Sequence, residues 1–296
     1  MTTPDLHSRA EGAFLGLAVG NALRMPTGAA DAPEHATPAG MGFDRRNDSP
    51  QPPYDGSVAL ACILAEELLQ REIDLHRLAY LWAEWAERDG RGIGAWTRTA
   101  LRHIQAHDSP PTSTGGRAGN GTISRCLPVA LRTFAQPANL VSGTYHTAVL
   151  THPDERCAWG AVAVNVAAAC FLQGRRDFIG DVLEVLRTNA APEELLQAVR
   201  RVPLEKRDEL PVGDAEYVVH GVETALWFAY HEPNLDRGLG WLARASGGAR
   251  SSAGAAVALM GARDGSPAVP EQWIAGLRDP DHLRRLARAL IGPPER

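Results

Sequence analysis

Three predicted helix starts carry residues whose types and spacing are suited to binding an anion. They are Asp55-Gly56-Ser57, Gly119-Asn120-Gly121-Thr122 and Gly247-Gly248-Ala249-Arg250-Ser251-Ser252. Glycine at a helix start leaves the backbone N–H groups open to a ligand, and the helix dipole there favours negative charge. Arg250, beside two hydroxyls, adds donors suited to a phosphate or a carboxylate. Taken alone, each junction is more often an ordinary capped helix than a binding site.

Other chemistry-bearing residues give weaker signals. The histidines are scattered without the spacing of metal ligands, and His152 at a predicted helix start is interpreted as structural. No P-loop ending and no nucleophile-elbow motif occurs in the sequence. The four cysteines, Cys62, Cys126, Cys157 and Cys170, are far apart and form no CxxC pair, which predicts buried free thiols.

Helical periodicity runs through almost the whole chain and predicts an all-α fold. The predicted helices are 7–24, 57–70, 75–88, 92–105, 120–134, 154–173, 177–188, 192–201, 214–231, 235–245, 252–263 and 280–291. Segments that alternate in the manner of strands are absent from the sequence. Gly12, Gly16 and Gly20 recur at every fourth position of the first helix. Such a smooth ridge allows a second helix to approach closely.

Breaks in the periodicity mark the loops. Residues 25–54 hold six prolines and almost no helical pattern, and so long a loop is typical of a functional lid or a disordered segment. Residues 107–121 and 245–254 are loops that lead into helices, and 203–214 reads as a solvated connection. Without an internal repeat or a linker, the sequence predicts one domain over residues 1–296.

Composition restricts the class of protein. Thirty basic and thirty-five acidic residues give a net charge of −5 without a basic block, which argues against a nucleic-acid partner. The first residues lack the basic and apolar regions of a secretory signal. The longest apolar run, 157–172, contains Asn165 and is interpreted as too short to span a membrane. These features predict a soluble, cytoplasmic protein with no membrane partner.

Six segments, taken in chain order, resemble motifs of the ADP-ribosylglycohydrolase family, which includes the dinitrogenase-reductase-activating glycohydrolases. They are RAEGAFLGLAVGNALRMPTGA (9–29), YDGSVALACILAEELL (54–69), GNGTISRCLPVAL (119–131), THPDERCAWGAVAV (151–164), GVETALWFAYHEPNLDRGLGWLARASGG (221–248) and GARDGSPAVPEQWIAGL (261–277). The resemblance covers nearly the whole chain and implies a compact orthogonal bundle of helices. It also implies cleavage of the glycosidic bond of ADP-ribose attached to arginine, serine or a related acceptor.

Departures from the family pattern fall on its metal-binding acids. Family members hold two divalent cations with the acids of a "TDD" motif and of a later "DxDT" motif. Here only Asp55 remains of the first pair, and the second motif reads Ala249-Arg250-Ser251-Ser252. The acids of the family's "GDALG-P-E" turn correspond to Asn21 and Gly28. Five positions have thus changed from a carboxylate to a neutral residue.

These changes predict that the magnesium expected in the family is absent here. Magnesium takes an octahedral shell of oxygen ligands that normally includes carboxylates. A guanidinium about 5 Å from Mg²⁺ adds about 7 kcal/mol of repulsion at an effective dielectric constant of about 20. The hydroxyls of Ser57, Ser251 and Ser252 do not offset that repulsion. The sequence therefore predicts no dinuclear metal site and no other cofactor.

The remaining residues define a candidate ligand site with an open role for Asp55. The predicted ligand-binding residues are Ser57, Gly119, Asn120, Gly121, Thr122, Arg125, Arg250, Ser251 and Ser252. Ser124 replaces the methionine of the family motif, and Arg125 is equally explained as a structural arginine. Asp55 is a helix cap, a salt-bridge partner of Arg250, or a catalytic acid or base.

Three functions are compatible with this set. The first is a non-catalytic or repurposed family member that binds an ADP-ribose-like or other anionic, nucleotide-like small molecule. The second is a metal-independent hydrolase or lyase that uses Asp55 on an altered substrate, with a second carboxylate from Asp31, Glu34, Asp44 or Asp48. The third is a pseudoenzyme that binds a protein partner in the former metal cleft.

Overall fold

The computed structural model describes residues 4–23, 56–70, 73–113, 118–210, 217–242 and 249–292, without the side chains of residues 249–251. Three regions of interest in the sequence lie outside this description. Residues 24–55 contain the proline-rich loop and Asp55, and residues 114–117 belong to the loop before the GNG sequence. Residues 243–248 contain Gly247 and Gly248 of the third predicted helix start.

Fifteen α-helices occur in the described residues. They are α1 (Leu6–Ala22), α2 (Gly56–Gln70), α3 (Leu75–Arg88), α4 (Ala95–His107), α5 (Gly121–Arg125), α6 (Leu127–Thr133), α7 (Pro137–Val149), α8 (Glu155–Leu172), α9 (Ile179–Thr188), α10 (Glu193–Arg201), α11 (Val218–His231), α12 (Leu235–Leu242), α13 (Ala249–Asp264), α14 (Glu271–Ile274) and α15 (Pro280–Ile291). Short 3-10 turns lie at Arg207–Glu209 and Ser266–Ala268. No strand occurs in these residues beyond one isolated bridge between Gly119 and Tyr217. The all-α prediction is confirmed.

Aspartate caps explain where several of these helices begin. Asp5, Asp74, Asp154 and Asp279 each accept a hydrogen bond from a backbone N–H in the first turn of the helix that follows. An acidic side chain here satisfies a donor that has no partner within the helix and also complements the helix dipole. The predicted starts at residues 7, 75, 154 and 280 therefore lie within one residue of the observed ones.

Two helix predictions were wrong. The predicted helix 120–134 is divided at Cys126 into α5 and α6, with Pro128 in the first turn of α6. A proline in that position removes a backbone donor and starts a new helix. Helix α7 was not predicted because its buried face consists of Leu140, Thr144, Thr147 and Ala148, which gives no strong apolar period.

Close contact between α1 and α13 organises the middle of the bundle. A Cβ atom on Gly16 would lie 2.5 Å from the carbonyl oxygen of Val257, and Gly12 and Gly20 likewise face the backbone of α13. Gly261 of α13 faces the backbone of Gly12 in return. The predicted glycine ridge thus lets the two helices touch through their main chains.

Helix α8 is the other central element. It packs against α5, α6, α7, α11 and α13, and 89% of its 18 residues are buried. The helix is long and apolar enough to cross a membrane by length and composition alone. The interpretation that residues 157–172 are too short to do so was therefore wrong. The burial of α8, however, is that expected for the central helix of a soluble helical protein. The four cysteines are buried free thiols, as predicted.

The glycine ridge gives a first testable prediction. We expect Gly16→Ala to lower the free energy of unfolding by about 1–3 kcal/mol, because the methyl group would push α1 away from α13. Urea denaturation followed by circular dichroism measures this change. Gly180→Ala is the matched control, since a Cβ at that helical position meets no atom within 4 Å. Equal effects of the two substitutions would show that the ridge does not determine the packing.

Candidate functional site

The GNG loop, residues 119–121, is fixed between α8 and α11. The Thr122 hydroxyl, which is fully buried, donates a hydrogen bond of 2.9 Å to the carbonyl oxygen of Cys157 in α8. On the other side, the Val218 N–H donates to the Ala118 carbonyl at 2.8 Å, beside the Gly119–Tyr217 bridge. The backbone of the loop is therefore held from both sides, while Gly119 and Gly121 remain partly exposed.

Asn120 connects this loop to the first turns of α13. Its Nδ2 donates to the Ser252 Oγ at 3.3 Å, and both side chains are buried. Gly221 of α11 provides the space for Asn120, because a Cβ there would lie only 2.8 Å from the Asn120 Cγ. The structure thus brings together two of the three predicted helix starts, 132 residues apart in sequence.

Arg125 lies beneath the loop and is fully buried. Its Nη2 donates to the Thr151 hydroxyl and, at 3.0 Å, to Nδ1 of His152. Its guanidinium also lies over the ring of Trp82, with Cζ 5.5 Å from the ring centroid. Gly121 leaves space for this guanidinium, since a Cβ would lie 2.5 Å from the Arg125 Nη1. Arg125 therefore supports the loop from below.

Burial sets the protonation of this group of side chains. Desolvation lowers the pKa of Arg125 from its ordinary value, and no ion-pair partner for it occurs among the described residues. Desolvation, followed by repulsion from Arg125, lowers the pKa of His152 well below 6.5. Because Arg125 can only donate, the neutral His152 accepts at Nδ1 and carries its proton on Nε2. That Nε2 lies 3.5 Å from the position of a Cβ on Gly119.

Asn21 occupies the end of α1 beside α13. It is fully buried, its Nδ2 donates to the Leu17 carbonyl at 2.8 Å, and its side chain fills the space left by Gly254. Asn21 and Asn120 thus contact the beginning of α13 at neighbouring turns. An aspartate in place of Asn21 would bury a charge against the α13 backbone, at a large desolvation cost.

The other predicted site residues are less fully placed. Ser57 is buried in the first turn of α2, which packs against α5. Arg250 and Ser251 belong to the first turn of α13, but their side chains lie outside the described part of the structure. Asp55 lies outside it altogether. The predicted pairing of Asp55 with Arg250 therefore stays a prediction.

The described side chains of this site supply no carboxylate for a pair of divalent cations. Asn21, Ser57, Asn120 and Ser252 offer neutral oxygen atoms only. Within the described residues, no group of three or more His, Cys, Asp or Glu side chains is arranged to hold a metal ion. Magnesium needs carboxylate oxygens to offset its charge, and Asp55 is the acid that the first motif supplies.

Comparison with known proteins identifies the family. The ADP-ribosylglycohydrolase family model matches residues 2–295. The chain belongs to the ADP-ribosylglycohydrolase family. It is 27% identical to the ADP-ribosyl-[dinitrogen reductase] glycohydrolase of Rhodospirillum rubrum over 98% of both chains. It is 26% identical to the ADP-ribosylarginine hydrolase Tri1 of Pseudomonas putida (strain GB-1), covering 98% of this chain and 80% of that protein.

The fold agrees with this membership. A solved structure described as an ADP-ribosylglycohydrolase-related protein complex superposes with a TM-score of 0.80 at 26% identity, covering 97% of this chain and 98% of the other. The resemblance inferred from the motifs, and the compact orthogonal bundle of helices that it implied, are thus confirmed.

Sequence reasoning missed the contacts that shape this ADP-ribosylglycohydrolase-type site. Gly221 was noted only as part of a motif, although its missing side chain makes room for Asn120. Thr151 and His152 were taken as a helix start, whereas α8 begins at Glu155 and both residues bind Arg125. A buried arginine without an acid nearby in sequence is a signal that a polar partner must come from elsewhere in the chain.

The lowered pKa of His152 gives a second prediction. Between pH 7 and pH 5 the unfolded chain binds a proton at this histidine and the folded chain does not, so the fold loses stability as the pH falls. We expect His152→Asn, whose amide oxygen also accepts from Arg125, to remove a slope of up to about 1.4 kcal/mol per pH unit. Urea denaturation at several pH values measures it.

The control for this experiment is an exposed histidine. His146→Asn should retain the slope of the parent protein, since His146 lies on the surface of α7. A proton NMR titration provides an independent test in the unsubstituted protein. A His152 ring that titrates near pH 6.5 would contradict the buried, neutral state.

Proposed function

We propose that this protein is a divergent family member that binds an ADP-ribose-like or other anionic small molecule without magnesium. The ligand would lie between the GNG loop and the first turns of α13, in the former metal cleft. In this proposal the protein does not act as a magnesium-dependent ADP-ribosyl hydrolase. The observation that carries the proposal is the hydrogen bond between Asn120 and Ser252.

This hydrogen bond supports the proposal because it defines which groups border the cleft. It holds the GNG loop, with the partly exposed backbone of Gly119 and Gly121, against α13. On the α13 side, the neutral residues Ala249 and Ser251 stand where the family motif has carboxylates, and Arg250 lies between them. Loss of negative charge and gain of a guanidinium favour an anionic ligand that needs no bridging cation.

The relatives support the class of ligand. Their names describe a glycohydrolase of ADP-ribosylated dinitrogen reductase and a hydrolase of ADP-ribosylarginine. Both names refer to an ADP-ribosyl group, which carries a diphosphate. A chain that has the family's fold and GNG motif, but lacks most acids of the family's metal motifs, is suited to holding such a group in place without hydrolysing it.

Binding of free ADP-ribose in EDTA tests the proposal. We expect isothermal titration calorimetry to show saturable binding to the full chain, and Asn120→Ala to weaken it by about tenfold or more, because the loop loses its connection to α13. Asn139→Ala is the matched control, since Asn139 is an exposed asparagine on α7 that binds Gln136. Its affinity should equal that of the unsubstituted protein.

Three other outcomes would contradict the proposal, each in a recognisable way. A strong, saturable rise in thermal stability with Mg²⁺ would show that the metal site survives. Turnover of ADP-ribosylated arginine in EDTA, abolished by Asp55→Asn, would establish the metal-independent enzyme. Failure of ADP-ribose and of other nucleotide diphosphates to bind, together with a stoichiometric protein partner, would favour the protein-binding pseudoenzyme.

The glycine behind Asn120 allows a separate prediction. Gly221→Ala places a methyl group where the Asn120 side chain now lies, so we expect ADP-ribose affinity to fall by about tenfold. The clash involves the Asn120 side chain and no backbone atom, so we expect Asn120 to be displaced rather than α11 to unfold. Gly180→Ala, another glycine-to-alanine change on a helix, should leave the affinity unchanged. Equal affinity of both variants would show that the position of Asn120 does not matter for binding.

A further inference from the structure

A group of three charged side chains joins the end of α10 to α11, away from the candidate site. Arg201 Nε donates to Glu205 Oε1 at 2.9 Å and to Glu223 Oε1 at 2.7 Å. Arg201 Nη2 also lies 2.6 Å from Glu223 Oε1. One guanidinium therefore serves two carboxyl groups, and the group would carry a net charge of −1 if both were ionised.

Both carboxyl groups are withdrawn from water. The Glu223 side chain is 1% exposed and that of Glu205 is 14% exposed. In each, Oε1 faces Arg201, whereas Oε2 is buried and accepts a hydrogen bond from no donor in the described residues. Two buried acceptors without donors are costly when both groups are ionised.

Because both Oε1 atoms bind the same Arg201 Nε, the two carboxyl groups are neighbours. A single proton between them would let one carboxyl group donate to the other and would leave a single negative charge opposite Arg201. Burial, followed by the charge of Glu205, raises the pKa of Glu223 to about 7, against the opposing effect of Arg201. Geometry and electrostatics thus favour the same protonation state.

The other charged or titratable groups around α11 are engaged elsewhere. The ion pairs are Arg207 and Arg237 with Glu232, Arg263 with Asp264, Arg156 with Asp154 and Glu194, and Arg200 with Glu193. The hydrogen bonds join Glu209 to the Lys206 N–H, Arg125 to Thr151 and His152, and His231 to the Val202 carbonyl. The His220 ring packs against the Tyr217 ring. Glu205 and Arg201 are the groups whose charge acts on Glu223.

We propose that Glu205 and Glu223 share one proton at neutral pH and, with Arg201, form a pH-sensitive clamp between α10 and α11. Loss of that proton places two negative charges in a buried space with a single guanidinium. The clamp weakens as a result. This inference concerns the fold and does not depend on the proposed ligand.

The position of the clamp gives it a route to the candidate site. Glu223 lies six residues after Tyr217, at the start of the same helix, and Tyr217 pairs with Gly119 of the GNG loop. Loosening α11 from α10 therefore releases the element that holds one side of that loop.

The sign of the pH dependence follows from the raised pKa. An unfolded glutamate has its ordinary pKa of 4.5, whereas the folded one titrates near 7. Between these values the folded state binds the proton more tightly, so stability is greatest at the acidic end and falls as the pH rises through the window. Above the folded pKa no further loss occurs.

Urea denaturation of the full chain between pH 5 and pH 8 tests the clamp. We expect the unfolding equilibrium constant to rise by up to about tenfold per pH unit more in the unsubstituted protein than in Glu223→Gln. The glutamine amide replaces the shared proton and does not titrate. Glu205→Gln should reduce the slope as well, because the remaining carboxylate then has Arg201 to itself. Glu184→Gln, at an exposed glutamate on α9, should keep the full slope.

An NMR titration of the unsubstituted protein tests the proposal even if a glutamine variant does not fold. With glutamate labelled at 13Cδ, one resonance of the native protein should titrate near pH 7. The proposal is overturned if every glutamate resonance titrates below about pH 5.5, or if Glu223→Gln folds and keeps the parental slope.

Discussion

Main-chain contact between α1 and α13 is the constraint on which the rest of the structure depends. Three glycines at every fourth position of α1 allow it to approach α13 more closely than any larger residue would permit. This contact fixes the position of α13 along the axis of α1. As a result, Gly254 lies beside Asn21, and Ser252 lies beside Asn120. The candidate site is assembled where this helix pair meets the GNG loop, and its geometry follows from backbone packing before any charge is considered.

Charge then decides what such a site accepts. Asn21, Asn120 and Ser252 bring neutral amides and a hydroxyl to the site. The buried cation beneath the loop, Arg125, is held by neutral partners among the described residues. Burying an uncompensated guanidinium is unfavourable, so Arg125 is stabilised by its hydrogen bonds and by the Trp82 ring. Burial and, after it, the Arg125 charge lower the pKa of His152, and an anion close to this loop would gain from the same charge.

Much of the fold could be predicted from the sequence because it rests on local signals. Helical periods, aspartate caps and the glycine ridge are readable along the chain, and the motif order indicates the family. Helix α7 has threonines on its buried face and gives no such period. Of the site, the GNG loop and Ser252 could be anticipated from motifs. Their hydrogen bond and the role of Gly221 could not, because these contacts join residues about one hundred or more positions apart.

The segment after α10 is a second case in which contacts with distant residues could not be predicted from the sequence. Residues 203–214 read as a solvated connection because charged residues dominate them, and Leu204 is indeed exposed. Glu205 nevertheless turns inward to bind Arg201, which also binds Glu223 of α11, so the segment takes part in the packing of α11. Charge along a sequence does not distinguish a solvated glutamate from a buried one, because burial depends on a partner elsewhere. A carboxyl pair that withdraws from water must neutralise part of its charge, and here a guanidinium and a proton together do so more completely than either alone.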